Sequence, residues 1–267
     1  MPEREVYVNA PLRLVTAEYR FPLSSVLAGD DLLSLLAKTL GTALPIIEPA
    51  QLVQFSVGAD LAPPAITNGY RLLARDRTTA ATVTSNRLAV ETTAYRHWAD
   101  FRNEYVETAL SALGEDIGAL AGLDRVGLRF INELRIPSIA DGVEGLRAYI
   151  NSDLLAASRV MSRGELKTVQ AALHLQLGDN AELLMRSGIL EGRMVDDSGP
   201  LRLTSPPQSG RFFLIDIDSF WTNTGALDEW NTAEAIAISD RLHEPIDELF
   251  ESCITDTLRD DILRRKV

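Results

Sequence analysis

Apolar and polar residues alternate most regularly near the middle of the chain, in residues 124–137, DRVGLRFINELRIP. The apolar members of this alternation are Val126, Leu128, Phe130, Leu134 and Ile136. Polar residues and a glycine occupy the positions between them, and only Ile131 and Asn132 break the order. A period of two is typical of a strand that buries one face and exposes the other. We therefore predict that residues 124–137 form an inner strand of an antiparallel sheet.

Periodicity along the rest of the chain predicts further strands and several helices. Alternation predicts strands at residues 12–21, 52–57, 169–177, 181–192, 201–205 and 211–221. A turn at Asn68 and Gly69 is predicted to open a meander over residues 70–93. Apolar residues recur every three to four positions in residues 30–40, 97–117 and 233–265, which predicts helices there, the last interrupted at Pro245.

This order of elements predicts an α+β protein in which curved antiparallel sheets pack against long helices. Each half of the chain offers several strands followed by one helix with aromatic residues at its entry. Two sheet-plus-helix halves, residues 1–137 and 138–267, are one interpretation, and a single continuous domain is the other. The halves show no residue-level self-similarity, so a duplication is only suggested.

Composition restricts the setting in which the protein acts. The chain has 267 residues, 46% of them hydrophobic, which is enough for a full core. No apolar run approaches the roughly 18 residues that span a bilayer, and the first residues carry charges where a signal peptide would be apolar. The only cysteine, Cys253, lies in an apolar helical stripe and is expected to be buried and unreactive. We therefore predict a cytoplasmic protein without a membrane partner.

A formal net charge of −12 affects the choice of partner. Such a charge repels phosphate backbones, which disfavours general nucleic-acid binding unless arginines cluster locally. The expected partners are a basic protein, a neutral small ligand or a second copy of the chain.

The sequence lacks the common catalytic signatures. It contains no G-x-S-x-G, Walker loop, H-E-x-x-H or C-x-x-C motif. Its three histidines, His97, His174 and His243, are scattered, so neither a metal site nor a cofactor is predicted. These observations favour a protein without catalysis of its own.

The polar faces of two predicted strands carry the first candidate site. Its members are Glu18, Arg20, Arg129, Glu133 and Arg135. Ion pairing across neighbouring strands explains their placement, and the alternation alone favours this explanation. The alternative is a polar groove in which the arginines bind an acidic group or a partner.

A second candidate is the pair Asp216 and Asp218, which share one face of the predicted strand at residues 211–221. Paired carboxylates can ligate a divalent cation or act as an acid and a base. Solvated aspartates on an antiparallel sheet are the commoner explanation of such a pair.

Four ordered motifs resemble a sporadically distributed family of uncharacterised bacterial proteins of about this length. The motifs are APLxxVxxExRF at residues 10–21, YxxWxxF at 95–101, RVGLRFINELxIP at 125–137 and RLHEPIDELFESCITDTLR at 241–259. The resemblance points to Glu18, Arg20, Arg129 and Asn132 as site residues. The patchy distribution of that family is similar to that of accessory genes in toxin–antitoxin and phage-defence loci.

The leading functional hypothesis is a non-catalytic accessory protein that binds a partner protein. One alternative is a helix-grip domain that binds a small molecule or acts as an enzyme, in which a curved sheet wraps a helix around an apolar cavity. A second alternative is a chaperone resembling the export chaperone SecB. Exposed apolar grooves on an oligomer would favour the chaperone.

Overall fold

The computed structural model describes residues 5–23, 29–54, 65–115, 122–159, 168–195, 199–204, 209–227 and 229–265. Within these residues the chain is an α+β protein with one nine-stranded antiparallel sheet. The strands are β1 (Leu12–Arg20), β2 (Ile46–Gln54), β3 (Ala65–Leu73), β4 (Thr79–Thr84), β5 (Arg87–Thr92), β6 (Arg125–Leu134), β7 (Gln170–Gly178), β8 (Ala181–Glu191) and β9 (Arg211–Thr222).

The helices of the described residues differ in length and type. The α-helices are α1 (Gly29–Leu40), α2 (Trp98–Phe101), α3 (Glu107–Glu115), α4 (Val143–Leu146), α5 (Thr232–Cys253) and α6 (Asp256–Leu258). A π-helical turn, Arg102–Val106, joins α2 to α3, and another, Arg259–Leu263, follows α6. Two 3₁₀ segments, Pro137–Asp141 and Ser152–Arg159, lie on either side of α4. None of the helices in the described part of the chain is long and apolar enough to cross a membrane.

The strand order is β2-β3-β4-β5-β1-β6-β9-β8-β7, and every neighbouring pair with a resolved register is antiparallel. The central neighbours β1 and β6 pair from Leu12 opposite Asn132 to Arg20 opposite Arg125. The strand predicted from residues 124–137 is therefore an inner strand, as expected. One sheet runs through both predicted halves, because β6 pairs with β1 on one side and β9 on the other.

The two faces of the sheet have different surroundings. Helix α3 contacts both α1 and α5, and α1 and α5 pack on the face that we call the helix face. This face holds the main core, to which β6 contributes Val126, Leu128 and Phe130, all buried as predicted. The opposite face, which carries Glu18 and Arg129, is called the polar face.

Three local predictions are wrong. Asn68 and Gly69 lie inside β3 and not in a turn, because they pair with β2 and Gly69 also pairs with β4. Residues 201–204 form no strand, and Ser205 lies outside the described residues. Pro245 lies within α5 without ending it, and the break comes at Ile254, where the backbone is extended before Thr255 caps α6.

Other predictions lie partly beyond the described residues. The end of the strand predicted at 52–57 and of the helix predicted at 97–117 fall in the ranges 55–64 and 116–121, which the structure does not describe. Cys253 is buried as expected, with its Sγ 3.5 Å from Sδ of Met185. Burial raises the pKa of the Cys253 thiol to about 11.

Candidate functional site

Three arginines stand side by side across the polar face. Arg20 on β1 lies directly opposite Arg87 on β5 and, on its other side, directly opposite Arg125 on β6. We call these three residues the arginine row. The side chain of Arg20 is 39% exposed, whereas those of Arg87 and Arg125 are about half as exposed.

Glu18 is the carboxylate that all three arginines share. Its side chain accepts hydrogen bonds from Nε of Arg20 at 2.7 Å and from Nη1 of Arg125 at 3.0 Å, and it forms an ion pair with Arg87. Gly127 lies opposite Glu18, and a Cβ at Gly127 would stand 2.8 Å from the Arg125 guanidinium. The missing side chain therefore lets Arg125 lie back along β6 to reach Glu18. The Arg125 guanidinium also stacks on the Phe220 ring, 4.6 Å from its centroid.

Arg129 has a separate partner on the same face. Its Nε and Nη2 donate to the two carboxylate oxygens of Asp216 at 2.8 and 2.7 Å, a bidentate pair. Asp216 is buried, and its hydrogen bonds raise the pKa of the Arg129 guanidinium. This pair matches the ion-pairing interpretation of the candidate residues.

The second aspartate, Asp218, has no comparable partner. Among the described residues, the nearest cation to Asp218 is Nη2 of Arg125, at 3.8 Å. Burial raises the pKa of the Asp218 carboxyl, and the nearby Arg125 and Arg129 only partly offset this effect. Asp216 and Asp218 thus share a face, as predicted, but contact different arginines. In the described part of the chain, no group of three or more His, Cys, Asp or Glu side chains converges as metal ligands would.

Glu133 and Arg135 form a buried network at the end of β6. Nη2 of Arg135 donates to Glu133 at 2.8 Å, and the other Glu133 oxygen accepts from the backbone N–H of Met194 at 2.6 Å. Arg135 also donates to the carbonyls of Gly192 and Gly210. These contacts hold β6 against the residues that flank β8 and β9.

Asn132 lies on the helix face and is therefore separated from the arginines. Its Nδ2 donates to the carbonyl of Ile215 at 3.2 Å. At Ile131 and Asn132 the pairing of β6 with β9 stays regular, whereas its pairing with β1 is irregular, because the residues opposite are Leu14 and Leu12. Ile131 faces the polar side because Phe212 and Leu214 form a small apolar cluster with it there.

The sequence alone did not identify Arg87 and Arg125 as ion-pair partners of Glu18. Arg125 was recognisable as a polar-face residue from the alternation, but only the strand order reveals that β5 and β6 flank β1. No signal in the sequence pairs Arg87 with Arg20.

A different kind of surface lies at the outer strand β7. Within the part of the chain that the structure describes, β7 pairs with β8 on one side and is the last strand of the sheet. All nine of its residues are exposed, including Leu173, Leu175 and Leu177, which are 36–42% exposed. Its sequence, QAALHLQLG, contains no Lys, Arg, Asp, Glu or Pro. We call this strand with its row of leucines the β7 edge.

Space for a small ligand exists near the N-terminal segment. A groove of about 540 Å³ is lined by residues that include Pro11, Tyr95, Arg96 and Leu134. Beside it, a cavity of about 60 Å³ reaches Phe130 and other core residues of the helix face. This volume is well below the roughly 300–1,000 Å³ of a small-molecule pocket.

The chain matches no model of a known protein family and no curated protein. The motifs quoted above therefore support a resemblance only, and the site must be judged on its geometry.

Proposed function

We propose that this protein binds a partner protein by adding an extended segment of the partner to the free edge of β7, and that it has no catalytic activity of its own. The observation that carries the proposal is the exposed β7 edge, which lacks Lys, Arg, Asp, Glu and Pro. A sheet edge presents a row of backbone N–H and C=O groups that another strand can pair with.

Natural proteins normally protect such an edge. Charged side chains, prolines and bulges discourage the addition of another strand. β7 contains no Lys, Arg, Asp, Glu or Pro. Its pairing with β8 is irregular only at the end of the strand, between Gln176 and Gly178. Keeping an edge unprotected is a hazard, which supports the view that a partner covers it.

The leucines of β7 indicate which side chains a partner strand would carry. Leu173 and Leu175 point to the helix side of the sheet, because they lie opposite Met185 and Leu183 of β8, which belong to the main core. A partner strand with apolar residues at alternate positions would extend this row and cover it. A second copy of β7 also meets this requirement, because antiparallel strands can pair about a two-fold axis.

We further infer that the sheet consists of two similar halves, each a curved meander completed by a helix. The first strand of each half (β1 or β6) lies at the centre, the last strand of the meander (β5 or β9) pairs with it, and a helix (α3 or α5) follows. In this scheme β6 belongs to the second half. The boundary then falls between α3 and β6 instead of after Pro137.

Capture of partners from the native host tests the proposal. Leu175→Lys places a charge in the middle of the β7 edge, and we expect it to abolish recovery of the protein that the parent captures. Leu227, which is 43% exposed and lies outside β7, provides the matched control Leu227→Lys. Mass spectrometry identifies the captured protein, and sedimentation velocity shows whether the partner is a second copy.

Equal recovery by Leu175→Lys and the parent would contradict the proposal. Recovery of many unrelated unfolded chains would support the chaperone alternative, since the leucine row would then bind exposed apolar segments. Release of a metabolite from the purified protein, with no captured protein, would support the small-molecule alternative and place it in the groove of about 540 Å³. Genes of a toxin–antitoxin or phage-defence system beside the coding gene would point to the partner.

A further inference from the structure

The arginine row carries more positive charge than its carboxylates balance. Arg20, Arg87 and Arg125 share Glu18, and the second carboxylate, Asp218, lies 3.8 Å from Arg125 at one end of the row. Among the described residues, three guanidinium groups therefore face two carboxylates, one of which has a raised pKa because it is buried. This local excess occurs in a chain whose formal net charge is −12.

The arrangement is costly if its role is stability alone. Like charges directly opposite one another on neighbouring strands destabilise a sheet, and the row contains two such pairs, Arg20 with Arg87 and Arg20 with Arg125. In addition, Nε of Arg87 is buried without a hydrogen-bond partner. A buried donor without a partner lowers stability, so ion pairing with Glu18 does not account for the whole arrangement.

The same arrangement is well prepared to bind an anion. Arg125 is held by Glu18 on one side and by the Phe220 ring on the other, so little side-chain freedom is lost on binding. Arg20 bonds to Glu18 through Nε, and its exposed side chain leaves its terminal N–H groups accessible. Planar guanidinium forks match the geometry of carboxylate and phosphate oxygens.

We propose that the arginine row binds a phosphate group, either as free phosphate or as the phosphate of a small monoester. A phosphate monoester carries a charge of about −1.5 to −2 at pH 7 and offers three acceptor oxygens, which suits three guanidinium groups better than one carboxylate does. Arg20, the most exposed member, contacts the ligand, and Glu18 positions the three arginines. This site is independent of the β7 edge and of the partner proposed there.

Calorimetric titration of the purified full chain tests the site. The probes are inorganic phosphate, phenyl phosphate and acetate, each added at constant ionic strength and pH 7. We expect one phosphate to bind per chain, and acetate to bind at least tenfold more weakly. Arg20→Gln should weaken phosphate binding about tenfold or more, because an ionic hydrogen bond is lost, and Arg20→Lys should retain part of the affinity.

Arg147 provides a matched control, because its side chain is 36% exposed and pairs with Glu144 on α4. Arg147→Gln should bind phosphate like the parent. Arg87→Gln provides a second variant within the row and should also weaken binding. Preference for phenyl phosphate over inorganic phosphate would identify a monoester as the ligand, and the reverse preference would identify free phosphate. No binding to the parent, equal binding of acetate, or unchanged binding by both Arg20→Gln and Arg87→Gln would overturn the proposal.

Discussion

The two outer parts of the sheet differ in what packs on them. At the first, α1 packs on β3 and β4, and Leu32, Leu36 and Leu40 of α1 are almost completely buried. At the second, the leucines of β7 are more than a third exposed. Alternating apolar residues therefore show that a strand has an apolar face, but they do not show what lies against that face.

The segments that precede these two parts explain the difference. Between β1 and β2 the chain forms the twelve-residue helix α1. Between β6 and β7 the described residues form α4 and two 3₁₀ segments, which lie beside the end of α5 instead. Ile150 forms a β-bridge with Ile254, and the N–H of Asn151 donates to the carbonyl of Cys253. These contacts hold the segment against the end of α5, and the leucines of β7 remain exposed.

The largest effect is expected from a matched pair of leucine truncations. Leu36→Ala should lower the free energy of unfolding by about 2–5 kcal/mol, because it leaves a cavity under α1. Leu175→Ala should cost about 1 kcal/mol or less, since part of that side chain already faces solvent. Urea denaturation of both variants gives the two values. Similar losses would show that the β7 edge is covered in the free protein.

The β1 side and the β9 side of the sheet centre also differ in how their carboxylates are paired with arginines. On the β1 side of the centre, one glutamate has three arginines around it, whereas on the β9 side Asp216 takes both bonds of Arg129 and Asp218 is poorly compensated. Two variants examine this contrast, and each is expected to have a smaller effect than Leu36→Ala.

Arg129→Ala should lower the free energy of unfolding by about 1.5–3 kcal/mol, because Asp216 stays buried and loses two charged hydrogen bonds. The partial exposure of Arg129 favours the lower part of this range. Denaturant melts of Arg129→Ala and of the control Arg147→Gln measure the difference. An unchanged midpoint for Arg129→Ala would indicate that water replaces the guanidinium without loss.

The smallest effect concerns Asp218 and depends on pH. A folded-state pKa above the unfolded value of about 3.9 means that ionising Asp218 costs stability, and this cost appears as the pH rises through and above that value. Asp218→Asn removes the ionisation, so its melting temperature relative to the parent should rise between pH 3 and pH 7. A difference that is constant with pH, or that falls, would contradict the raised pKa.

Much of the fold was predictable because local patterns determine it. The strands β1, β6, β7 and β9 follow from alternation, and Phe130 and Cys253 are buried where their apolar faces predicted. Errors arose where long-range pairing overrides local signals. Asn68 and Gly69 resemble a turn, but β2 and β4 pair with this part of the chain on its two sides.

The candidate site was predictable only in part. Alternation placed Glu18, Arg20 and Arg129 on one polar face, and the structure agrees. The family resemblance added Asn132 to them, although Asn132 lies on the helix face. The arginine row depends on which strands are neighbours, and strand order over long loops is not encoded in any local pattern. The exposure of β7 likewise depends on where a distant segment packs.

Hydrogen exchange of the backbone amides is the most direct test of the central claim, that the β7 edge receives a partner strand. In the free protein, we expect the amides of β4 to exchange slowly and the outward-pointing amides of β7 to exchange rapidly. When the captured partner is bound, or at concentrations at which two copies associate, amides within Gln170–Gly178 should become protected, with no gain of similar size elsewhere. Unchanged exchange in β7, together with new protection on α5 or on the polar face, would contradict the account.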